Sequence, residues 1–108
     1  MTLRAGVHVN SQNIRVILWD GASVASKHKS AHRASSLTEL VEATAEAVEA
    51  CADGAQISDV GLALPAIIHP DDGVVLACAA FPWLVGESIT EALSRRVHAT
   101  VKADAEAH

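Results

Sequence analysis

The sequence predicts one α/β domain with the element order βββαβ(ββ)αβ. Half of its 108 residues are hydrophobic, and its aromatic residues are two Trp and one Phe. A core made mainly of Ala, Val and Leu suits a sheet covered by helices. Short apolar segments at strand spacing alternate with two longer segments at helical spacing. A chain of this length builds one hydrophobic core, so a single domain over residues 1–108 is expected.

The N-terminal part predicts a three-stranded antiparallel meander. The strands are expected at residues 4–9, 14–20 and 23–30. The polar segment Asn10-Ser-Gln-Asn13 forms the first turn, and Asp20-Gly21 is the signal for the second. Lys27 and Lys29 make the third strand more polar, as is typical of a strand at the edge of a sheet.

Two capping boxes predict the helices. Ser36-Leu-Thr-Glu39 precedes apolar residues at helical spacing, and Asp53-Gly54 is a typical helix end. Ser88-Ile-Thr-Glu91 repeats the pattern and begins a second amphipathic helix, with Arg95 and Arg96 near its C-terminal end. In each box the Ser hydroxyl and the Glu carboxylate are expected to accept hydrogen bonds from free backbone amides of the first turn.

The remaining segments predict parallel strands and a small hairpin. Residues 57–64 form a buried strand that should run parallel to the first, because a helical crossover precedes it. Pro70-Asp-Asp-Gly73 is the turn of the hairpin. Phe81-Pro-Trp-Leu84 is an apolar loop that either plugs the end of the core or anchors a partner. The last strand is expected at residues 99–103, and residues 104–108 suit the start of a helix.

Charge and cysteine content argue against several classes of protein. The net charge of −5, with Lys and Arg dispersed along the sequence, argues against nucleic-acid binding. Cys51 and Cys78 lack metal-ligand spacing and are expected to be buried thiols. His28 and His32, four residues apart, lie on an edge strand and its exit, where no metal site is expected. With no signal peptide and no apolar run of membrane-spanning length, a cytoplasmic protein without membrane contacts is predicted.

Five segments in order carry a resemblance to a known family. They are Gly6-Val-His-Val-Asn-Ser-Gln-Asn-Ile-Arg15, Val60-Gly-Leu-Ala-Leu-Pro-Ala66, Pro70-Asp-Asp-Gly-Val-Val75, Phe81-Pro-Trp-Leu84 with Glu91-Ala-Leu93, and Val101-Lys-Ala-Asp-Ala-Glu106. Together they resemble the N-terminal lobe of ROK-family sugar kinases and their repressor relatives, in the actin/hexokinase/Hsp70 superfamily. The resemblance implies a ribonuclease H-like (actin-like ATPase) lobe, in which parallel strands extend the meander and two main helices cover the sheet.

The resemblance places the family's nucleotide site at the first turn, where the residues differ. His8 stands where the family has the Asp that organises Mg²⁺ and water. Asn10 and Ser11 replace two Gly, Gln12 replaces Thr, and Asn13 replaces Lys. These cofactor-binding positions are therefore expected to be inactive, with no cofactor bound unless the chain is half of an ATP- and Mg²⁺-dependent kinase. Asn10 tolerates a left-handed backbone, so the hairpin itself is still expected to form.

The resemblance also implies positions for substrate binding and catalysis. Asp104 falls on the position of the catalytic base that takes a proton from the sugar hydroxyl, although a helix N-cap role explains it equally well. Ala66, Ala80 and Ala103 stand at the family's substrate-binding positions and replace Gly, Asn and Asn. Glu106 replaces another Asn beyond Asp104. No metal site is predicted from the residues present.

Three functions remain open at this point. The sequence favours a non-catalytic, pseudokinase-like ROK domain that acts as a binding or assembly module. Such a module would self-associate, for example as a homodimer, or have a protein partner over the face where a second lobe would dock. The alternative is the N-terminal half of a ROK sugar kinase that phosphorylates a hexose with ATP once a second lobe completes it. A third possibility is a regulatory domain that senses a sugar.

Overall fold

The structure, a computed structural model, describes residues 2–105 of the chain and the side chains of residues 3–103. Within this range the strands are β1 (Thr2–Val9), β2 (Asn13–Trp19), β3 (Val24–Ala31), β4 (Gln56–Leu64), β5 (Ile67–Ile68), β6 (Val75–Ala77) and β7 (Thr100–Ala105). The helices are α1 (Leu37–Ala52), α2 (Ile89–Val97) and a 3₁₀ helix at Pro82–Leu84. The predicted order βββαβ(ββ)αβ is confirmed.

Five strands form the main sheet in the order β3-β2-β1-β4-β7. β1 pairs antiparallel with β2, and β2 pairs antiparallel with β3. β4 runs parallel to β1, and β7 runs parallel to β4. The predicted meander extended by parallel strands is therefore confirmed, with β1 at the centre. β5 and β6 form a separate antiparallel hairpin.

One face of the sheet is buried under the two helices. Alternate side chains of the strands fill this core, namely Ala5, Val7, Val9, Ile14, Val16, Leu18, Val60, Leu62 and Leu64. Helix α1 supplies Leu40, Ala45 and Val48, and α2 supplies Ile89 and Leu93. Arg96 of α2 binds the carboxylates of Glu42 and Glu49 on α1, which fixes the two helices side by side.

No helix among the described residues covers the opposite face. We call this surface the open face and define it by the strand positions that alternate with the core, which are Arg4, Gly6, His8, Arg15, Ile17, Trp19, Lys27, Lys29, Asp59, Gly61, Ala63, Thr100 and Lys102. The ring of Trp19 lies across Gly6, since a Cβ added to Gly6 would be 3.0 Å from it.

The first capping box forms in a modified way. Ser36 is the N-cap of α1, and its Oγ accepts a hydrogen bond from the amide of Glu39 at 3.2 Å. The Glu39 carboxylate reaches the amide and hydroxyl of Ser35, at 2.8 and 2.7 Å, one residue before the N-cap. Asp53 and Gly54, with φ of 49° and 87°, end the helix as predicted.

The prediction of capping hydrogen bonds in the second box is wrong. Ser88 is the N-cap of α2 but makes no side-chain cap. Its hydroxyl donates instead to the carbonyl of Asp72 at 2.9 Å. The turn of the β5–β6 hairpin competes successfully for this hydroxyl and is thereby attached to the start of α2.

The C-terminal helix predicted from residue 104 is also wrong as far as the structure describes it. Asp104 and Ala105 continue β7, where they pair with Ala63 and Leu64 of β4. An N-cap role for Asp104 is therefore excluded by its place inside a strand. Residues 106–108, which include Glu106, lie outside the described residues.

The two cysteines and the apolar loop belong to the core. Cys51 and Cys78 are buried free thiols, which confirms the prediction. Phe81 is buried, and its ring centroid lies 5.2 Å from that of the half-buried Trp83, so this loop plugs the end of the core. No helix in the described part of the chain is long and apolar enough to cross a membrane.

Candidate functional site at the end of the parallel strands

The predicted site residues gather at one edge of the sheet. β1, β4 and β7 are parallel, so their carboxyl ends meet there, as in many α/β binding sites. The register pairs His8 with Ala63 and Ala63 with Asp104, which places all three in one row. Because neighbouring strands are about 4.8 Å apart, the backbones of His8 and Asp104 are about 10 Å apart. The side chain of Asp104 lies outside the described part.

The β1–β2 turn is closed by the side chain of Asn10. Its Oδ1 accepts hydrogen bonds from the amides of Gln12, at 2.9 Å, and Asn13, at 2.7 Å. The Asn10 amide donates to the carbonyl of Asn13 at 3.0 Å. Ser11 and Gln12 are exposed at the tip of the turn. The turn is thus an Asx turn whose amides are bound by its own side chain.

The backbone of this turn differs from the sequence-based expectation. Left-handed φ values occur within residues 2–105 at Asp53, His98 and four glycines, and Asn10 is not among them. The tolerance of Asn for that conformation is therefore not what allows the hairpin to form. The acceptor oxygen on its side chain takes this role.

His32 holds the turn from outside and was not predicted as a site residue. Its ring is buried, with Nε2 2.7 Å from the carbonyl of Asn10. Its Nδ1 accepts a hydrogen bond from the amide of Ala34 at 3.2 Å, so the hydrogen lies on Nε2, which donates to Asn10. The His32 amide also donates to the carbonyl of Gln12 at 2.9 Å. His32 therefore attaches the turn to the segment between β3 and α1.

Aromatic packing connects the turn with the loop that precedes the 3₁₀ helix. The ring centroids of His32 and Phe81 are 5.7 Å apart, at an interplanar angle of 51°. Phe81 directly follows Ala80, one of the predicted substrate-binding positions. The Cys78 thiol, 3.4 Å from the carbonyl of Pro65, brings the same loop beside Ala66. Ala66 and Ala80 thus lie at the same end of the sheet as the turn.

Ala103 lies on the other face from His8. It pairs with Leu62, whose side chain is buried, and it belongs to the helix-covered side of the sheet. The methyl groups of Ala66, Ala80 and Ala103 offer no hydrogen-bonding atoms to a ligand. Among described residues, no group of three His, Cys, Asp or Glu side chains is arranged to hold a metal ion.

The carboxylates with lowered pKa values belong to a turn and to a helix start, and neither is one of the predicted site residues. The backbone amides of Ala22 and Ser23 lower the pKa of Asp20 in the β2–β3 turn. The hydroxyl and amide of Ser35 lower the pKa of Glu39 at the start of α1. Both carboxylates accept hydrogen bonds that stabilise a turn or a helix start, so their shifts have structural causes.

Comparison with solved structures identifies the fold. The ROK hexokinase of Thermus thermophilus superposes on this chain with a TM-score of 0.85 and 21% identity. The match covers 96% of this chain and 35% of the hexokinase. A ROK family glucokinase from Streptomyces griseus, in complex with glucose and AMPPNP, gives a TM-score of 0.83 at 21% identity, over 95% of this chain and 33% of that one. The chain has the ROK-family fold. The resemblance inferred from the five segments is confirmed at this level.

A regulator shares this fold as well. The ROK family transcriptional regulator that is a homolog of the E. coli MLC protein matches 96% of this chain and 28% of its own, with a TM-score of 0.80 and 10% identity. This chain spans about a third of the length of these solved structures. No protein-family model matches its sequence, and no curated protein matches it.

Proposed function

We propose that the chain is a non-catalytic ROK-like domain that works as a binding or assembly module. The observation that carries the proposal is the pair of hydrogen bonds from the amides of Gln12 and Asn13 to Asn10 Oδ1. Converging backbone amides are the groups that bind phosphate oxygens, and here a side-chain oxygen of the chain already accepts them. His8 supplies no fixed negative charge for Mg²⁺. The residues of the turn therefore do not fit a Mg-ATP phosphate group.

Calorimetry with Mg-ATP tests this proposal. The unmodified chain is expected to bind Mg-ATP with a Kd weaker than about 1 mM. Converting the turn towards the family pattern, with His8→Asp, Asn10→Gly, Ser11→Gly, Gln12→Thr and Asn13→Lys together, is expected to give measurable binding. Asn10→Asp is the matched control, because it keeps the acceptor oxygen and should bind no better than the unmodified chain. Binding of Mg-ATP by the unmodified chain at millimolar or tighter affinity would overturn the proposal.

Exposed apolar side chains support a role in assembly. Ile67 and Leu76 of the β5–β6 hairpin are 61% and 53% exposed, and Val85 is 50% exposed. The hairpin and the Val85 loop are connected, since the amide of Gly86 donates to the carbonyl of Val75 at 2.8 Å. A second copy of the chain that covers these side chains would remove them from water. Sedimentation at micromolar concentration should show a dimer that Leu76→Glu dissociates, and a strict monomer would count against self-association.

The alternative is half of a sugar kinase completed by a second lobe. Its support is that the chain spans about a third of the ROK hexokinase and glucokinase, and that the backbone of Asp104 shares a row with His8. A hexose kinase assay of this chain mixed with a separately produced ROK C-terminal lobe would test it. ATP-dependent phosphorylation of glucose that Asp104→Asn abolishes would establish this alternative over the first proposal.

A sugar-sensing role has support from the regulator with the same fold. Calorimetry with glucose and N-acetylmannosamine, without ATP, separates it from the kinase half. We also propose a cytoplasmic location, for which the buried free thiols Cys51 and Cys78 are the supporting observation.

A further inference from the structure

Acidic and basic side chains are separated along this chain. Residues 34–94 contain ten of its 13 acidic residues and none of its eight Lys and Arg residues. Five of those eight basic residues lie on the open face, namely Arg4, Arg15, Lys27, Lys29 and Lys102. The β5–β6 hairpin therefore belongs to a part of the chain whose Asp and Glu residues have no Lys or Arg among them.

The β5–β6 hairpin combines apolar side chains with an acidic rim. Three apolar side chains are at least half exposed and together form what we call the hairpin surface: Ile67 at 61%, Leu76 at 53% and Val85 at 50%. Asp71 and Asp72 are exposed in the turn of the hairpin. Glu87 is exposed beside β6, since its carbonyl accepts a hydrogen bond from the amide of Val75 at 2.9 Å. A partner that buries the hairpin surface therefore also meets these carboxylates.

The outer edge of β3 has the complementary composition. β3 is the first strand of the main sheet and pairs with β2 on one side. On its other side, the backbone groups of residues 24–31 have no backbone partner among the described residues. Val24 is 52% exposed at the start of the strand, and Lys27 and Lys29 are exposed further along it. We call these three residues and their backbone the β3 edge, which offers apolar contact, positive charge and free hydrogen-bonding groups.

We propose that the hairpin surface of one copy of this chain binds the β3 edge of a second copy. Two hairpin surfaces in contact would bring the carboxylates of both copies together, and two β3 edges would bring their lysines together. Contact between the unlike surfaces instead places Asp71, Asp72 and Glu87 near Lys27 and Lys29. This inference rests on the proposed self-association and names the two surfaces that make the contact.

Charge reversal on each surface gives two variants for sedimentation equilibrium. Asp71→Lys/Glu87→Lys reverses the rim of the hairpin surface, and Lys27→Glu/Lys29→Glu reverses the β3 edge. The four side chains are exposed and take part in none of the side-chain hydrogen bonds or ion pairs among the described residues. Both variants are therefore expected to fold, and circular dichroism verifies this.

The proposal gives definite expectations for these variants. The unmodified chain should self-associate at micromolar concentration, and each variant alone should associate at least about tenfold more weakly. An equimolar mixture of the two variants should associate about as tightly as the unmodified chain, because the reversed rim of one variant then meets the reversed β3 edge of the other. Arg33→Glu/Arg95→Glu is the control with the same change in net charge as the lysine pair, and it should change association less than about twofold.

The effect of salt gives an independent readout. Raising the salt concentration from about 50 to 500 mM should weaken a contact between surfaces of opposite charge, whereas it would strengthen a contact between two acidic surfaces. Undiminished association of Lys27→Glu/Lys29→Glu, no recovery in the mixture, or stronger association at high salt would overturn this inference and leave the proposed self-association standing. A strict monomer of the unmodified chain would overturn both, in favour of a different protein as the partner of the hairpin surface. None of these measurements involves Mg-ATP, so the non-catalytic assignment fails separately.

Discussion

Replacing His32 by Phe tests whether this buried ring holds the β1–β2 turn. The substitution keeps an aromatic ring beside Phe81 but removes the hydrogen bonds to Asn10 and Ala34, at 2.7 and 3.2 Å. Each such bond contributes about 1 kcal/mol net, and leaving a part-buried partner unsatisfied adds to the loss. We expect the free energy of unfolding to fall by about 2–3 kcal/mol, a large share of the roughly 5–15 kcal/mol typical of a domain.

Urea unfolding followed by circular dichroism measures this loss. With an m-value of about 2 kcal/mol per molar, the midpoint should fall by about 1–1.5 M. His28→Phe is the matched control, because the His28 side chain is half-buried on β3 and takes part in none of the side-chain hydrogen bonds among the described residues. It should change stability by less than about 0.5 kcal/mol. Amide exchange at Ala34 should accelerate in His32→Phe alone. Equal stability of the two variants, with Ala34 still protected, would refute the assignment of His32.

Two further predictions concern stability. Gly73→Ala should lower the free energy of unfolding by about 2 kcal/mol or more, because Gly73 has a φ of 72° and a Cβ there would be 2.1 Å from Thr90 Oγ1. Gly54→Ala, at φ 87° with open space around it, should lose only about 1 kcal/mol, and equal losses in urea unfolding would contradict this reasoning. The hydrogen bonds from Ser35 lower the pKa of Glu39. The contribution of Glu39 to the free energy of unfolding is therefore present above the pKa of a free Glu, about 4.3, and is lost as the pH falls through the lower pKa of the folded chain. Glu39→Gln should therefore flatten the decline of the urea midpoint below about pH 5, and an unchanged profile would exclude this contribution.

Much of the fold could be predicted because it depends on neighbouring residues. The alternation of apolar residues in β1 and β2 identifies strands locally, and Ser36 with Glu39 identifies the start of α1 within four residues. The parallel direction of β4 follows from the helical crossover before it. These signals lie within one element or between two successive elements, which is where sequence patterns are informative.

The errors and omissions involve residues that are distant in sequence. The contact between His32 and Asn10 spans 22 residues, and no periodic pattern marks it. Ser88 has the sequence of a helix cap, but its hydroxyl donates to Asp72, 16 residues earlier. The basic open face requires both the strand order and the register, since Arg15, Lys29 and Lys102 lie on three different strands. The sequence alone showed only that these charges are dispersed.

The stability of the β1–β2 turn follows from how its backbone groups are satisfied. A phosphate-binding loop leaves amide donors free until a ligand arrives, which limits its stability in the absence of that ligand. Here the side chain of Asn10 accepts hydrogen bonds from the amides of Gln12 and Asn13, and His32 donates to the backbone carbonyl of Asn10. These groups are therefore satisfied as soon as the chain folds. A ligand that binds only the folded state at 100 times its Kd would add about 2.7 kcal/mol of stability. Since we propose that these donors are unavailable to phosphate, the melting temperature of the unmodified chain should stay constant with added Mg-ATP, whereas that of the chain with the family-pattern turn should rise.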